Sequence, residues 1–180
     1  IYLDEYPKGK FAKLAKRRLK TLGQPSTSVA QSSIPNLDYG RYHALVIGNQ
    51  DYQHIDDLRT TRYDAELVSR LLRNDYGFEV TRINDATRID TLLALEQLQE
   101  TVDRNDNVLI YYAGHGWLDE NVDEGFWLPV DAKENSRINW IPNADIIRSV
   151  SGMQAKHVLV VADSCFSGTL LRGLNIQIRT

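Results

Sequence analysis

The sequence predicts an α/β domain: a three-layer α/β/α sandwich around a mostly parallel central sheet. Three observations carry this. Short runs of Val, Ile and Leu recur along the chain, stretches of helical periodicity separate them, and the apolar runs are continuous rather than alternating. A strand that is apolar on both faces is buried on both faces, and parallel neighbours need crossover helices to cover them.

The elements follow in order. HALVIG (43–48) is a short buried strand. Residues 64–74 form a helix with Leu67, Val68, Leu71 and Leu72 on one side. Residues 78–83 form a second strand, ended by the turn-forming Asn84-Asp85. A helix over 87–102 turns Ile89, Leu92, Leu93 and Leu98 inward. NVLIYYAG (107–114) is a third strand, apolar through its centre. Residues 117–140 read as irregular and acidic, apart from a short strand at 126–130. A helix follows over 142–150, with Pro142 suited to its first turn. KHVLVVAD (156–163) is the last buried strand.

Before this domain, residues 1–22 form a basic amphipathic segment, with Phe11, Leu14, Ala15, Leu19 and Leu22 on one helical face. Residues 23–39, rich in Ser, Pro and Gly, form a linker, so the compact domain is expected to run from Gly40 to the end of the chain. A composition of 42% hydrophobic and 25% charged residues is that of a soluble globular protein. No apolar run approaches the ~20 residues of a membrane helix, so no membrane partner is expected. Residues 1–40 carry a net charge of +4 and the remainder −7. An acidic body argues against nucleic acid as a partner and favours basic substrates. The single cysteine permits no internal disulfide and fits a reducing, cytoplasmic setting.

In sheets of this kind ligands bind beyond the carboxyl ends of the strands. Two segments place reactive side chains there. Tyr111-Tyr112-Ala113-Gly114-His115-Gly116 ends a strand in a histidine between two glycines, and Val161-Ala162-Asp163-Ser164-Cys165-Phe166-Ser167-Gly168 ends another in the lone cysteine. Alone, either residue is more often structural than catalytic. Together, 50 residues apart and each following an apolar strand, they suit a nucleophile and its proton-transfer partner. Flanking glycines allow sharp turns and close approach of a substrate. There is no GxGxxG, Walker A loop, HExxH or CxxC, so nucleotide and zinc chemistry have no support.

The segments ALVIGNQDY (44–52), YYAGHG (111–116) and DSCFSG (163–168), in this order and spacing, resemble the caspase-like cysteine peptidases, and bacterial orthocaspases, metacaspases and paracaspases more than animal caspases. The resemblance covers roughly residues 41–171 and implies the caspase–haemoglobinase fold. It implies that Cys165 attacks the scissile carbonyl, that His115 protonates the leaving amine, and that the N–H groups of Gly116 and Cys165 form the oxyanion hole. It implies a dyad without a third member. Animal caspases carry Gln two residues before the nucleophile; Asp163 stands there in this chain, as an aspartate does in metacaspases and paracaspases. A second acid at the start of the first helix is matched by Asp64, which otherwise reads as a helix cap. Two carboxylates facing one pocket would hold arginine or lysine. Cleavage of protein substrates after basic residues is therefore the expectation.

No cofactor is expected. Some metacaspases use calcium, and Asp119, Glu120, Asp123 and Glu124 are the candidates here, but their spacing matches no EF-hand and reads as a solvated loop. Trp117, Trp127 and Trp140 are groove candidates or packing, and His43, His54 and His157 have no evident partner. The resemblance also implies strands after Cys165 that a separate small fragment of the same precursor would supply, with Arg172 and Arg179 suited to a processing cut, and a start at Ile1 is expected to reflect a longer precursor. Bacterial relatives imply a role in stress, cell death or antiphage defence. The alternatives are a catalytically inactive scaffold of the same family, disfavoured because both Cys165 and His115 are present, and an unrelated doubly wound domain binding a small ligand.

Overall fold

The computed structural model describes residues 38–164. The basic segment at 1–22, most of the linker, and Cys165, Arg172 and Arg179 lie outside the described residues. The element order is β1 (Tyr42–Gly48), α1 (Thr61–Asp75), β2 (Glu79–Asn84), α2 (Arg88–Thr101), β3 (Asn107–Ala113), β4 (Gly116–Asp119), β5 (Glu124–Trp127), β6 (Ile141–Pro142), α3 (Asn143–Gly152) and β7 (His157–Asp163). Strands β2-β1-β3-β7 form one sheet in that order, every pair parallel. The chain leaves β1 toward β2 on one side and returns to β3 on the other. The strand order therefore reverses at β1, and a crevice opens at the carboxyl ends of β1 and β3.

Helices cover both faces, as expected. On one face Ala44, Val46, Tyr111 and Ala113 pack against Ala65 and Leu72 of α1. On the other, Leu45, Ile47, Val108, Ile110 and Tyr112 pack with Leu95 and Leu98 of α2 and Ile146 of α3. Alternate residues of each strand serve opposite faces, which is why these strands read as unbroken apolar runs. Among the described residues no helix is long and apolar enough to cross a membrane.

The inner faces of two helices differ from expectation. Helix α1 buries Ala65, Ser69 and Leu72 and leaves Leu67 and Leu71 exposed. Helix α2 buries Thr91, Ala94, Leu95 and Leu98, while Ile89 and Leu93 face outward. Close approach explains the first case. A Cβ on Gly48 would lie 2.7 Å from Ala65 Cβ and 3.0 Å from the Thr61 carbonyl oxygen, so α1 rests almost directly on the end of β1. Small residues, not leucines, fit that contact. The start of α2 matches its expected position: Thr87 Oγ1 accepts the Asp90 N–H while the Asp90 carboxylate accepts the Thr87 N–H, a capping box.

Residues 117–140 are more ordered than expected. β4, β5 and β6 form a small antiparallel sheet, with Gly116 opposite Trp127 and Asp119 opposite Glu124. The strand expected at 126–130 begins earlier, at Glu124, and ends at Trp127. Asp119 and Glu124, two of the calcium candidates, are committed to protein groups: Asp119 pairs with Arg137 at 2.6 Å, and Glu124 Oε1 accepts the Ala144 N–H at 3.2 Å.

The amino-terminal edge of the sheet is tied by one buried carboxylate. Asp106 accepts hydrogen bonds from the Arg41 N–H (2.9 Å), Arg41 Nη2 (3.0 Å), the Asp103 N–H (3.0 Å) and His43 Nε2 (3.1 Å). Its backbone carbonyl accepts the Lys156 N–H at 2.8 Å, so the starts of β1, β3 and β7 meet at this residue. His43, without an evident partner in the sequence, belongs to this cluster and also lies 3.5 Å from Glu79. Burial pushes the Asp106 carboxyl up, but the hydrogen bonds outweigh it and hold the group well below the usual carboxylate range. A depressed carboxylate contributes stability that is complete above its unfolded pKa of about 4 and is lost as pH falls below it. Asp106→Asn is expected to lower folding stability by about 2–3 kcal/mol at pH 7. The loss should shrink as pH is lowered from about 5 toward 3, measured by denaturant unfolding across that range.

Candidate active site

Parallel pairing brings three strand ends to one level. Gly48 of β1 is in register with Ala113 of β3, and Ala113 with Asp163 of β7. The segments that follow these residues carry the candidate site residues. Of those expected, the structure describes His115, Gly116, Asp163 and Asp64; Cys165 lies outside the described residues. Ser164, the residue just before it, is described, and its Oγ lies 2.9 Å from where a Cβ on Gly116 would sit. Ser164 therefore approaches the His115 loop closely, and glycine at 116 makes that approach possible.

His115 is half-buried and held from several sides. Its N–H donates to the Tyr52 hydroxyl at 2.8 Å, and the Tyr52 ring packs on the imidazole with centroids 4.8 Å apart. Its backbone carbonyl accepts the Tyr112 hydroxyl at 2.7 Å and the Leu128 N–H at 3.0 Å. Its Nε2 lies 2.9 Å from the Asp56 carbonyl oxygen. A carbonyl can only accept, so Nε2 carries a proton, and in the neutral ring the basic nitrogen is Nδ1. Gly114 has a role the sequence did not suggest: a Cβ there would lie 2.6 Å from the Tyr112 hydroxyl and 2.9 Å from that of Tyr52. Neither Gly114 nor Gly116 has positive φ. Their purpose is space rather than turning.

The loop bearing Tyr52 and Asp56 is pinned in turn. Asn49 is fully buried, and its Oδ1 accepts the Ala86 N–H at 2.9 Å. Asp85 accepts the N–H groups of Gln50 (2.8 Å) and Asp51 (2.9 Å), and the Arg62 guanidinium bridges Asp85 and Asp51. The Tyr52 N–H donates to Asp57 at 2.7 Å, and the Gln53 N–H to the Val130 carbonyl at 2.8 Å. Burial pushes the Tyr52 hydroxyl up to about 12, against the opposing effect of the His115 N–H. It therefore stays a neutral phenol at physiological pH.

Both acids act on Tyr111, on the face covered by α1. The Tyr111 hydroxyl donates to Asp163 at 3.3 Å. Burial, then the charge and hydrogen bond of Asp163, then the charge of Asp64 push that hydroxyl up to about 12. Asp64 sits in the first turn of α1, but the helix cap is Thr60, so its carboxylate does not perform the capping role open to it. Gly116 and Trp127 face each other in the small sheet, while the Leu128 N–H reaches His115. His115 and Leu128 thus occupy the hydrogen-bonded position, and alternation directs the Gly116 N–H away from the ladder. Tyr52, Tyr111, Tyr112 and Asp56 were not identified from sequence. YYAGHG held two of them, but the third tyrosine and the carbonyl come from a loop some sixty residues earlier.

The three tryptophans divide. Trp127 is buried and stacks on Tyr112 with centroids 4.3 Å apart. Trp117 and Trp140 lie 5.8 Å apart and line a cavity of about 540 Å³ that reaches His115 and Gly116.

A family model described as Caspase domain matches residues 41–177. Metacaspase-1 of Saccharomyces cerevisiae is 28% identical over 173 residues, covering 84% of this chain and 40% of that protein. Human mucosa-associated lymphoid tissue lymphoma translocation protein 1 is 35% identical over 89 residues, 49% of this chain and 10% of that protein. The chain thus spans less than half the length of these relatives. A crystal structure of a Geobacter sulfurreducens protein superposes with a TM-score of 0.60 at 22% identity, covering 78% of this chain and 56% of that one, a likeness of fold.

The hydrogen bond to Asp56 has a direct spectroscopic consequence. Nitrogen-15 NMR of the deprotonated His115 ring should give Nε2 as the protonated and Nδ1 as the bare nitrogen, the reverse of the pattern for a ring held through Nδ1–H.

Proposed function

Because the chain belongs to the caspase-domain family, we propose that it carries the catalytic machinery of a cysteine endopeptidase cutting after arginine or lysine. The observation that carries this reading is His115, oriented by Tyr52 and Asp56, at the edge where the strand leading to Cys165 also ends.

In this reading the Cys165 thiolate adds to the scissile carbonyl, and its proton resides on His115 Nδ1. The negative charge on the carbonyl oxygen is met by the N–H of Gly116, which points away from its ladder, and by that of Cys165. Collapse breaks the C–N bond, and His115 Nδ1 gives its proton to the departing amine. The acyl group remains on sulfur. His115 then takes a proton from water, whose oxygen attacks the thioester and releases the carboxylic acid and the thiolate. The Asp56 carbonyl accepts from Nε2–H throughout and so keeps the ring in one orientation. Asp56 thus serves through its backbone, as a positioning group rather than a third side chain.

Specificity in this reading comes from Asp163 and Asp64. A guanidinium placed beside Tyr111 would take both carboxylates as charge-assisted acceptors, and the Tyr111 hydroxyl fixes the rotamer of Asp163. The same basic preference suits Arg172 and Arg179 as sites of self-processing.

Fluorogenic peptides ending in Arg, Lys or Asp test the reading. Turnover is expected for Arg and Lys and absent for Asp, and Cys165→Ala should abolish it. Asp163→Asn should lower kcat/KM for the Arg peptide by about 10- to 100-fold, the loss of one charge-assisted hydrogen bond. Cleavage after Asp would overturn the basic specificity, and no turnover by the processed protein would point to the scaffold alternative.

A further inference from the structure

We propose that the cavity beside His115 is the subsite for the first residue on the leaving-amine side of the cut, and that it takes an aromatic or large aliphatic side chain. This rests on the peptidase reading above and goes beyond it. His115 gives its proton to the departing amine, so the residue bearing that amine lies against His115 as the bond breaks. The cavity opens at that point: His115 and Gly116 are part of its wall. It shares no residue with the acidic group of Asp64, Tyr111 and Asp163, which binds the other side of the scissile bond in this reading. The two sides of the substrate thus have separate walls.

The lining sets the chemistry. Trp117, Trp140, Ile55 and Leu128 are apolar surfaces. The guanidinium of Arg137 lies 5.6 Å from the ring centroids of both Phe126 and Trp140, and its charge is met by Asp119 at 2.6 Å. The Arg137 charge in the cavity wall is therefore neutralised and stacked, and does not call for an anionic guest. Lys133, Glu134 and Asp56 also line it, so the remaining charges are one cation and two acids, which again favour no anionic guest. A volume of about 540 Å³ admits a Phe, Trp or Leu side chain with room for part of the next residue. Trp117 is 44% exposed, an apolar surface that a substrate ring would remove from water.

Internally quenched peptides of the form Arg-X, differing only in the residue X after the cut, test this by their kcat/KM. Phe and Leu at X are expected to exceed Gly and Asp by about tenfold or more. In Trp117→Ala, whose site is too exposed to disturb the core, the Phe-to-Gly ratio should fall to within about threefold. Binding is read separately in Cys165→Ala by calorimetry, using amidated leaving-side peptides that begin with Phe or Gly. The Phe peptide should bind more tightly, and Trp117→Ala on that background should remove the difference. Equal binding of the two peptides, or a difference that survives loss of Trp117, overturns the subsite. Failure to cut any Arg or Lys peptide overturns the peptidase reading instead, and the calorimetric comparison still decides the cavity.

Discussion

The register of three parallel strands governs nearly everything at the candidate site. Gly48, Ala113 and Asp163 stand at one level, so the segments leaving β1, β3 and β7 begin their excursions from a common edge. Tyr52 and Asp56 come from the first, His115 from the second, and Asp163 with Ser164 from the third. A slip of one residue would turn Tyr111 and Tyr112 to each other's faces and dismantle both the acidic cluster and the His115 mount at once. The buried residues on either face make such a slip costly, since Val46 and Ile47 would each have to repack against the opposite helix layer.

Within that frame the histidine is immobilised chiefly by neutral hydroxyls and carbonyls. Tyr52 accepts from its backbone, Tyr112 donates to it, and the Asp56 carbonyl takes the ring proton. None of these partners changes charge near neutral pH, because burial drives both phenols far from ionisation. Among the described residues, the group that takes the ring proton is a backbone carbonyl and not a carboxylate. Glycines at 114 and 116 are the steric complement: one admits two hydroxyls, the other admits the Ser164 side chain.

Much of this was legible in the sequence, for reasons that also explain the rest. Strands buried on both faces announce themselves as unbroken apolar runs, and the residues at their carboxyl ends could be picked out because HALVIG, NVLIYYAG and HVLVVAD end so abruptly. The helix faces were misjudged because leucine is a cue to burial only where there is room for it. Where α1 lies on Gly48, the inward residues are Ala65 and Ser69, while Leu67 and Leu71 face out. β4 and β6 escaped notice because four and two residues are too few for a period to emerge. Tyr52 and Asp56 escaped because their relation to His115 exists only in the folded chain, and a backbone carbonyl has no sequence signature at all.

The Asp106 knot and the His115 site occupy opposite ends of the same strands. Seven residues of β3 separate them, about 20 Å of extended chain. Groups so far apart, with no shared partner, contribute to folding and to chemistry almost additively. The domain thus has a division of labour along its strand axis. The carboxyl edge can vary its acids, loops and cavity walls without loosening the sheet, whose anchorage lies at the other end of the strands.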